Sequence, residues 1–137
     1  MCLTEVTQIK SERLPKDQYY TGWKVITIDK QKETFCSSFN KCRSLNKWIK
    51  CRKKISDTLN SCYSDTRQEE AQYPYGFHIF TTRKGARSWK MYNKEKIVRV
   101  RYRRVVARGM QYNYGCVIAK EMYVEYPRRK GKSNVLN

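Results

Sequence analysis

The stretch Ile97-Val98-Arg99-Val100-Arg101-Tyr102-Arg103-Arg104-Val105 alternates apolar and basic side chains. On a β-strand alternate residues face opposite sides, so Arg99, Arg101 and Arg103 form a comb of guanidinium groups about 6.6 Å apart. Like charges at that spacing repel unless something anionic lies across them. Guanidinium grips phosphate through two parallel hydrogen bonds, a geometry that Lys cannot match. Glu121 and Glu125, carried on a neighbouring strand, could equally neutralise the comb by cross-strand pairing. Both readings stand on the sequence.

A second basic feature is the turn Thr81-Thr82-Arg83-Lys84-Gly85-Ala86-Arg87. Thr81 and Thr82 are N-cap residues, and a helix start offers unpaired N–H groups to an anion. Arg83, Lys84 and Arg87 in a first turn oppose the helix dipole, which a bound anion would relieve. The third feature is Lys41 to Lys54, with seven cations and no acid, of which Lys50, Arg52, Lys53 and Lys54 are the densest group. Trp48, Trp89, Tyr92, Tyr112 and Tyr114 are interleaved with these cations, and exposed aromatics beside Arg or Lys make stacking platforms for bases. Tyr112 and Tyr114 are the best placed of them, since Trp89 reads as core.

Catalysis and metal binding find little support. His78 is the only histidine; a lone strand histidine reads as a structural residue, and no Ser or Cys near it has a nucleophile's setting. Glu121 would serve as a general base only with a partner in the same cleft. Cys36, Cys42, Cys51 and Cys62 are too widely spaced for the short knuckles of zinc sites. No cofactor motif is present, and the spacing of a Walker loop is absent.

The elements that must position these groups are mostly strands. Leu3–Lys10 reads as a weak strand and Trp23–Ile28 as a clear one, with Thr34–Phe39 pairing back across the polar turn Asp29–Glu33. Residues Asn40 to Ala71 suit a long loop, or a short amphipathic helix around Leu45, Trp48, Ile49 and Arg52. Tyr75–Phe80 is a strand leading into a helix over Arg83–Tyr92, with Ala86 and Trp89 docked on the sheet and Met91 or Tyr92 assisting. Two more strands, Ile97–Arg108 and Cys116–Tyr126, are joined by Gly109–Gly115. The expected fold is α+β, a small, mainly antiparallel twisted sheet with one or two short helices. One domain spans 1–127, with 41–71 as a basic and polar insert and 128–137 as a basic tail.

Composition sets the class of partner. Among 137 residues, 30 Lys and Arg face 12 Asp and Glu, a formal charge of +18. Residues 71–137 hold 16 of the cations and only Glu95, Glu121 and Glu125 against them. Aromatics at 13 % argue for a folded chain, not a disordered basic arm. Segregated positive charge points to a polyanion: nucleic acid, a nucleotide or an acidic protein surface. No apolar run approaches the ~20 residues of a spanning helix, so no membrane role is expected. Met1 to Gln8 lacks a basic stretch followed by an apolar one, which argues against secretion and for a cytoplasmic protein with reduced thiols.

The reading favours a binding protein over an enzyme. It is expected to grip nucleic acid through a basic surface, with RNA or single strands ahead because of the aromatics. Binding a small phosphorylated nucleotide, or a structural place in a ribonucleoprotein or virion, are the alternatives.

Thr21-Gly22-Trp23-Lys24-Val25-Ile26, Tyr75-Gly76-Phe77-His78-Ile79-Phe80, Val98-Arg99-Val100 and Val117-Ile118-Ala119-Lys120 occur in an order that resembles small uncharacterised bacterial and phage proteins with a Gly-Phe-His-apolar-Phe strand before a helix. The resemblance implies a small mixed α/β domain of phage type and carries no function with it. The Lys41–Lys54 insert and the basic tail lie outside it.

Overall fold

Alternation along the longest strand organises the molecule. In a computed structural model, which describes residues 3–37, 40–52, 58–60 and 71–126, the apolar members of the Arg comb turn inward and become core. That strand, Lys96–Gln111, is the ninth in chain order. Before it come β1 (Glu5–Ile9), β2 (Tyr20–Asp29), β3 (Thr34–Ser37), β4 (Asn40–Ser44), β5 (Trp48–Lys50), β6 (Thr58–Asn60), β7 (Gln72–Pro74), β8 (Phe77–Phe80) and helix α1 (Arg83–Trp89). After β9 (Lys96–Gln111) comes β10 (Tyr114–Val124). All described strand pairs are antiparallel. The fold is thus a mostly antiparallel sheet with one short helix among the described residues, as the sequence pattern predicts.

The ladder closes on itself. β9 pairs with β10, β10 with β8, β8 with β2, and β2 returns to β9. Val100 and Tyr102 of β9, Ile26 of β2, Ile79 of β8 and Val117 and Met122 of β10 fill the inside of this ring, with Phe35, Leu45 and Ile49 from β3 to β5. Outside it, α1 lays Ala86 against Val25 and Phe80, with Trp23, Trp89 and Ile97 at the rim. A third cluster of Leu3, Tyr73, Val106, Cys116 and Ile118 seals β1 and β7 onto the opposite part of the sheet. No helix among the described residues is long and apolar enough to cross a membrane.

Among the described residues Lys24, Lys120 and Glu121 are charged side chains that lie buried. Lys24 is 4 % exposed and its Nζ donates to the His78 carbonyl oxygen at 2.8 Å. Burial pulls its pKa down to about 8, with Cys116 acting in the opposite direction.

Several local expectations are corrected. Residues 45–52 form neither helix nor open loop: Trp48, Ile49 and Lys50 pair with Tyr123, Met122 and Glu121 of β10. Leu45 and Ile49 still point to one core because Asn46, at φ 58°, turns the chain between β4 and β5. The helix stops at Trp89, three residues short of Tyr92, and Met91 and Tyr92 are exposed instead of docked. Glu95 ends it by accepting the N–H groups of Met91 and Tyr92, both at 2.8 Å. The 109–115 connection shrinks to the two-residue turn Tyr112-Asn113, with Tyr112 at φ 54°. Reduced thiols were expected throughout, yet Cys36 and Cys42 form a disulfide, because the β3–β4 pairing brings their Cα atoms to 4.3 Å. Cys51 and Cys116 are free, and the other expectations for cysteines fall outside the described residues.

Gly109 is where β1 comes closest to β9. A Cβ there would run into the Glu5 carbonyl oxygen and come within 2.9 Å of Leu3 Cδ1. Gly109→Ala should therefore lower stability by about 1–3 kcal/mol, read as a shifted urea midpoint. An unshifted midpoint would mean that β1 is free to move away.

Candidate functional site

The outward side chains of β9, β10 and β5 make one continuous face. Strand register sets Lys50, Glu121 and Arg103 in one row and Trp48, Tyr123 and Arg101 in the next. Tyr19, just before β2, closes over the second row: its ring is 6.2 Å from that of Trp48, and the Arg101 guanidinium lies 4.9 Å from it. Arg101 is also 5.0 Å from the Tyr123 ring, and Arg103 sits 3.9 Å over Trp48. Such cation–π contacts hold the guanidinium groups against an aromatic surface. Farther along β9, Arg99 is exposed and pairs across the ladder with Trp23, over whose ring Arg83 lies at 5.6 Å.

The comb is partly neutralised, as the cross-strand reading allowed. Arg101 Nη2 meets Glu125 Oε2 at 3.3 Å. Glu121 serves two arginines: Arg103 Nε donates to Oε1 at 2.9 Å and Arg104 Nη1 to Oε2 at 3.2 Å. The Glu121 side chain is only 7 % exposed, so these charge-assisted bonds form away from bulk water.

A kink makes this possible. Tyr102 and Val105 on β9, and Ala119 and Met122 on β10, all belong to the ring core. Two consecutive residues of each strand, Arg103–Arg104 and Lys120–Glu121, are thereby left off the core side. Arg104 has φ 59°, and the register with β10 slips by one residue between Val105 and Ala107. Lys120, beside Glu121, is buried with no hydrogen-bond partner for Nζ among the described residues.

Among the described residues, two clefts that open onto the face stand out. The larger, about 510 Å³, lies between residues 13–18 and the kink and is lined by Arg13, Lys16, Asp17, Arg103, Arg104 and Glu121 among others. The smaller, about 260 Å³, lies along β4 and β5 and takes Arg43, Lys47, Lys50 and Arg52, with no acidic residue in its lining. Burial, and then the neighbouring charge of Arg52, holds the Arg43 pKa below the usual arginine value.

The sequence-nominated residues divide accordingly. Arg99, Arg101 and Arg103 share the face, Arg83 reaches it through Trp23, and Lys50 and Arg52 line the smaller cleft. Lys53 and Lys54 lie outside the described residues, as does the basic tail. Lys84 and Arg87 are exposed on α1. With only seven residues in the helix, Arg87 falls in its last turn, where a cation suits the dipole and no anion is needed to explain it. Tyr112 is exposed at the far end of the β9–β10 hairpin, and Tyr114 packs beside α1, its Cβ facing Gly85. Neither meets the comb. Arg13, Lys16, Arg43, Lys47, Tyr19 and Tyr123 were not nominated. The alternation Glu121, Tyr123, Glu125 was a legible signal for Tyr123; nothing local marks Tyr19.

His78 and Glu121 are not brought together. His78 is 3 % exposed, and burial foremost, then the Lys24 charge, holds its pKa well below 6.5. Tyr73 Oη accepts the Leu3 N–H at 2.9 Å and is hydrogen-bonded to His78 Nε2 at 3.0 Å. His78 thus sits in a structural network away from the cleft that holds Glu121. Among the described residues no group of three or more His, Cys, Asp or Glu could hold a metal. Comparisons with protein-family models, curated proteins and solved structures find no match for this chain.

Proposed function

We propose that this protein binds nucleic acid without catalysis, taking RNA or single-stranded DNA on the outer face of β5, β10 and β9. The observation that carries this reading is the packing of Arg101 between Tyr19 and Tyr123 and of Arg103 on Trp48, on a partly exposed strand face. Guanidinium groups held in this way offer hydrogen bonds to phosphate, and the exposed ring of Tyr19 beside them offers a flat surface to an unpaired base. The acid-free cleft of Arg43, Lys47, Lys50 and Arg52 extends the positive track at one edge, and Arg99 extends it along β9. Single strands are favoured over duplex because α1, the one described helix, is seven residues long with Trp89 and Ala86 turned to the sheet, and so is poorly suited to entering a major groove.

Fluorescence anisotropy with random-sequence RNA, single-stranded DNA and duplex DNA tests this. Binding is expected at low salt, tightest for the unpaired strands, with log K falling by about 0.7 per phosphate neutralised. Absence of binding to all three at low salt would remove the proposal.

A further inference from the structure

The larger cleft has features that a general polyanion track does not require. Arg13, Lys16, Arg103 and Arg104 bring four positive charges to its lining, and Asp17 and Glu121 bring two negative ones. The surplus of two matches a phosphomonoester, which carries close to two negative charges at neutral pH, whereas a diester carries one. Glu121 takes one N–H from each of Arg103 and Arg104 and fixes both guanidinium groups side by side. The rest of each five-donor fork remains for another acceptor. The two arginines are neighbours on one side of a strand only because Arg104 adopts φ 59°, and Asp17 across the cleft has φ 67°. Left-handed backbone at non-glycine residues concentrates at functional sites.

The opposite wall is built as well. Glu12 N–H donates to the Val105 carbonyl oxygen at 2.8 Å, and the Glu12 carboxylate holds Arg108 at 2.9 Å. The chain is thus pinned to β9 just before it rises into residues 13–18, and Gln18 N–H closes that turn on the Pro15 carbonyl oxygen at 3.1 Å. At about 510 Å³ the cleft is of the size that takes a small organic ligand, more than an inorganic ion needs. The indole of Trp48, beneath Arg103 at 3.9 Å, lies next door.

From these features we infer that the cleft receives a nucleotide phosphomonoester, presented by a strand end or by a free mononucleotide. The inference rests on the nucleic-acid reading only for the strand-end source. The test compares oligonucleotides of one sequence with and without a terminal phosphate, and a nucleoside monophosphate with its nucleoside, by calorimetric titration. The phosphorylated member of a pair should bind about tenfold tighter. In the double variant Arg13→Gln, Lys16→Gln, both changes being on exposed side chains, that ratio should fall towards one. The ratio is the readout, since general weakening from lost charge affects both members alike. Arg104→Gln should lower the ratio independently. Equal binding of phosphorylated and unphosphorylated strands would overturn the inference and leave the nucleic-acid reading intact. Binding of the nucleoside monophosphate alone, lost in the double variant, would support the cleft and overturn the strand reading. No binding of any probe would overturn both.

Discussion

Replacing Arg99, Arg101 and Arg103 together by Gln is expected to weaken single-strand binding by about 100-fold at low salt, from roughly 1 kcal/mol per exposed, partly screened charge contact. The salt slope should flatten at the same time, by about 2 for three phosphate contacts at 0.7 each. The second number is the stricter one, because misfolding would abolish binding without yielding a measurable, shallower slope. Loss of the Glu125 and Glu121 pairs should cost little stability. Glu125 is 61 % exposed and Arg101 34 %, so water screens their pair, and Glu121 keeps Arg104. Thermal unfolding of the triple variant checks that point. A full-length slope with unchanged affinity would place the interface elsewhere, and the exposed cations of α1 would be next to test.

Lys24→Met should stabilise the protein at pH 7 by about 2 kcal/mol. A pKa moved from 10.5 to about 8 corresponds to a burden on the charged form of about 3 kcal/mol. Removing the amine also loses its hydrogen bond to the His78 carbonyl oxygen, which gives back about 1 kcal/mol. The sign of the pH dependence separates this from ordinary repacking. Between pH 8 and 10.5 the unfolded chain holds a Lys24 proton that the folded one has released, so stability rises with pH. Burial raises the Cys116 thiol from 9.0 to about 12, so above pH 9 the folded chain keeps a proton that the unfolded one loses, and stability falls. Tyr73, raised from 10.0 to about 12 mainly by burial, adds to the fall above pH 10. The parent should therefore gain stability from about pH 8 to 9, level off, and decline beyond about pH 10. The Met variant should show no gain and decline from about pH 9. Urea denaturation across this range measures both curves, and a Met variant less stable than the parent at pH 7 would contradict the buried-charge account.

Much of the architecture was legible because its signals are local. Trp23–Ile28, Phe77–Phe80 and the two long late strands announce themselves by β-branched and alternating residues, and Thr82 caps the helix where it should, accepting Gly85 N–H at 3.1 Å. The region 45–52 misled because Leu45, Trp48, Ile49 and Arg52 have helical spacing. A strand, a left-handed turn and a second strand can present Leu45 and Ile49 to one core just as well. The choice was made by the unpaired edge of β10, which needed the hydrogen bonds of Trp48 to Lys50. The candidate site was half legible. Alternation nominated the Arg comb and its possible acids, but Tyr19 and the 13–18 segment have no local mark.

The sequence by itself determined that the charge is segregated, that β9 presents its arginines on one side and its apolar residues on the other, and that Glu121 and Glu125 stand ready on a later strand. These follow from a two-residue period and from counting. Only the tertiary structure decided which arginine meets which acid, and that Arg103 and Arg104 lie side by side. It also decided that Tyr19 covers Arg101 and that a cleft lies against the kink. Those outcomes depend on ring closure between β2 and β9 and on the one-residue slip against β10. Both are settled by how distant apolar side chains fill a common interior, a condition that no short window of sequence contains.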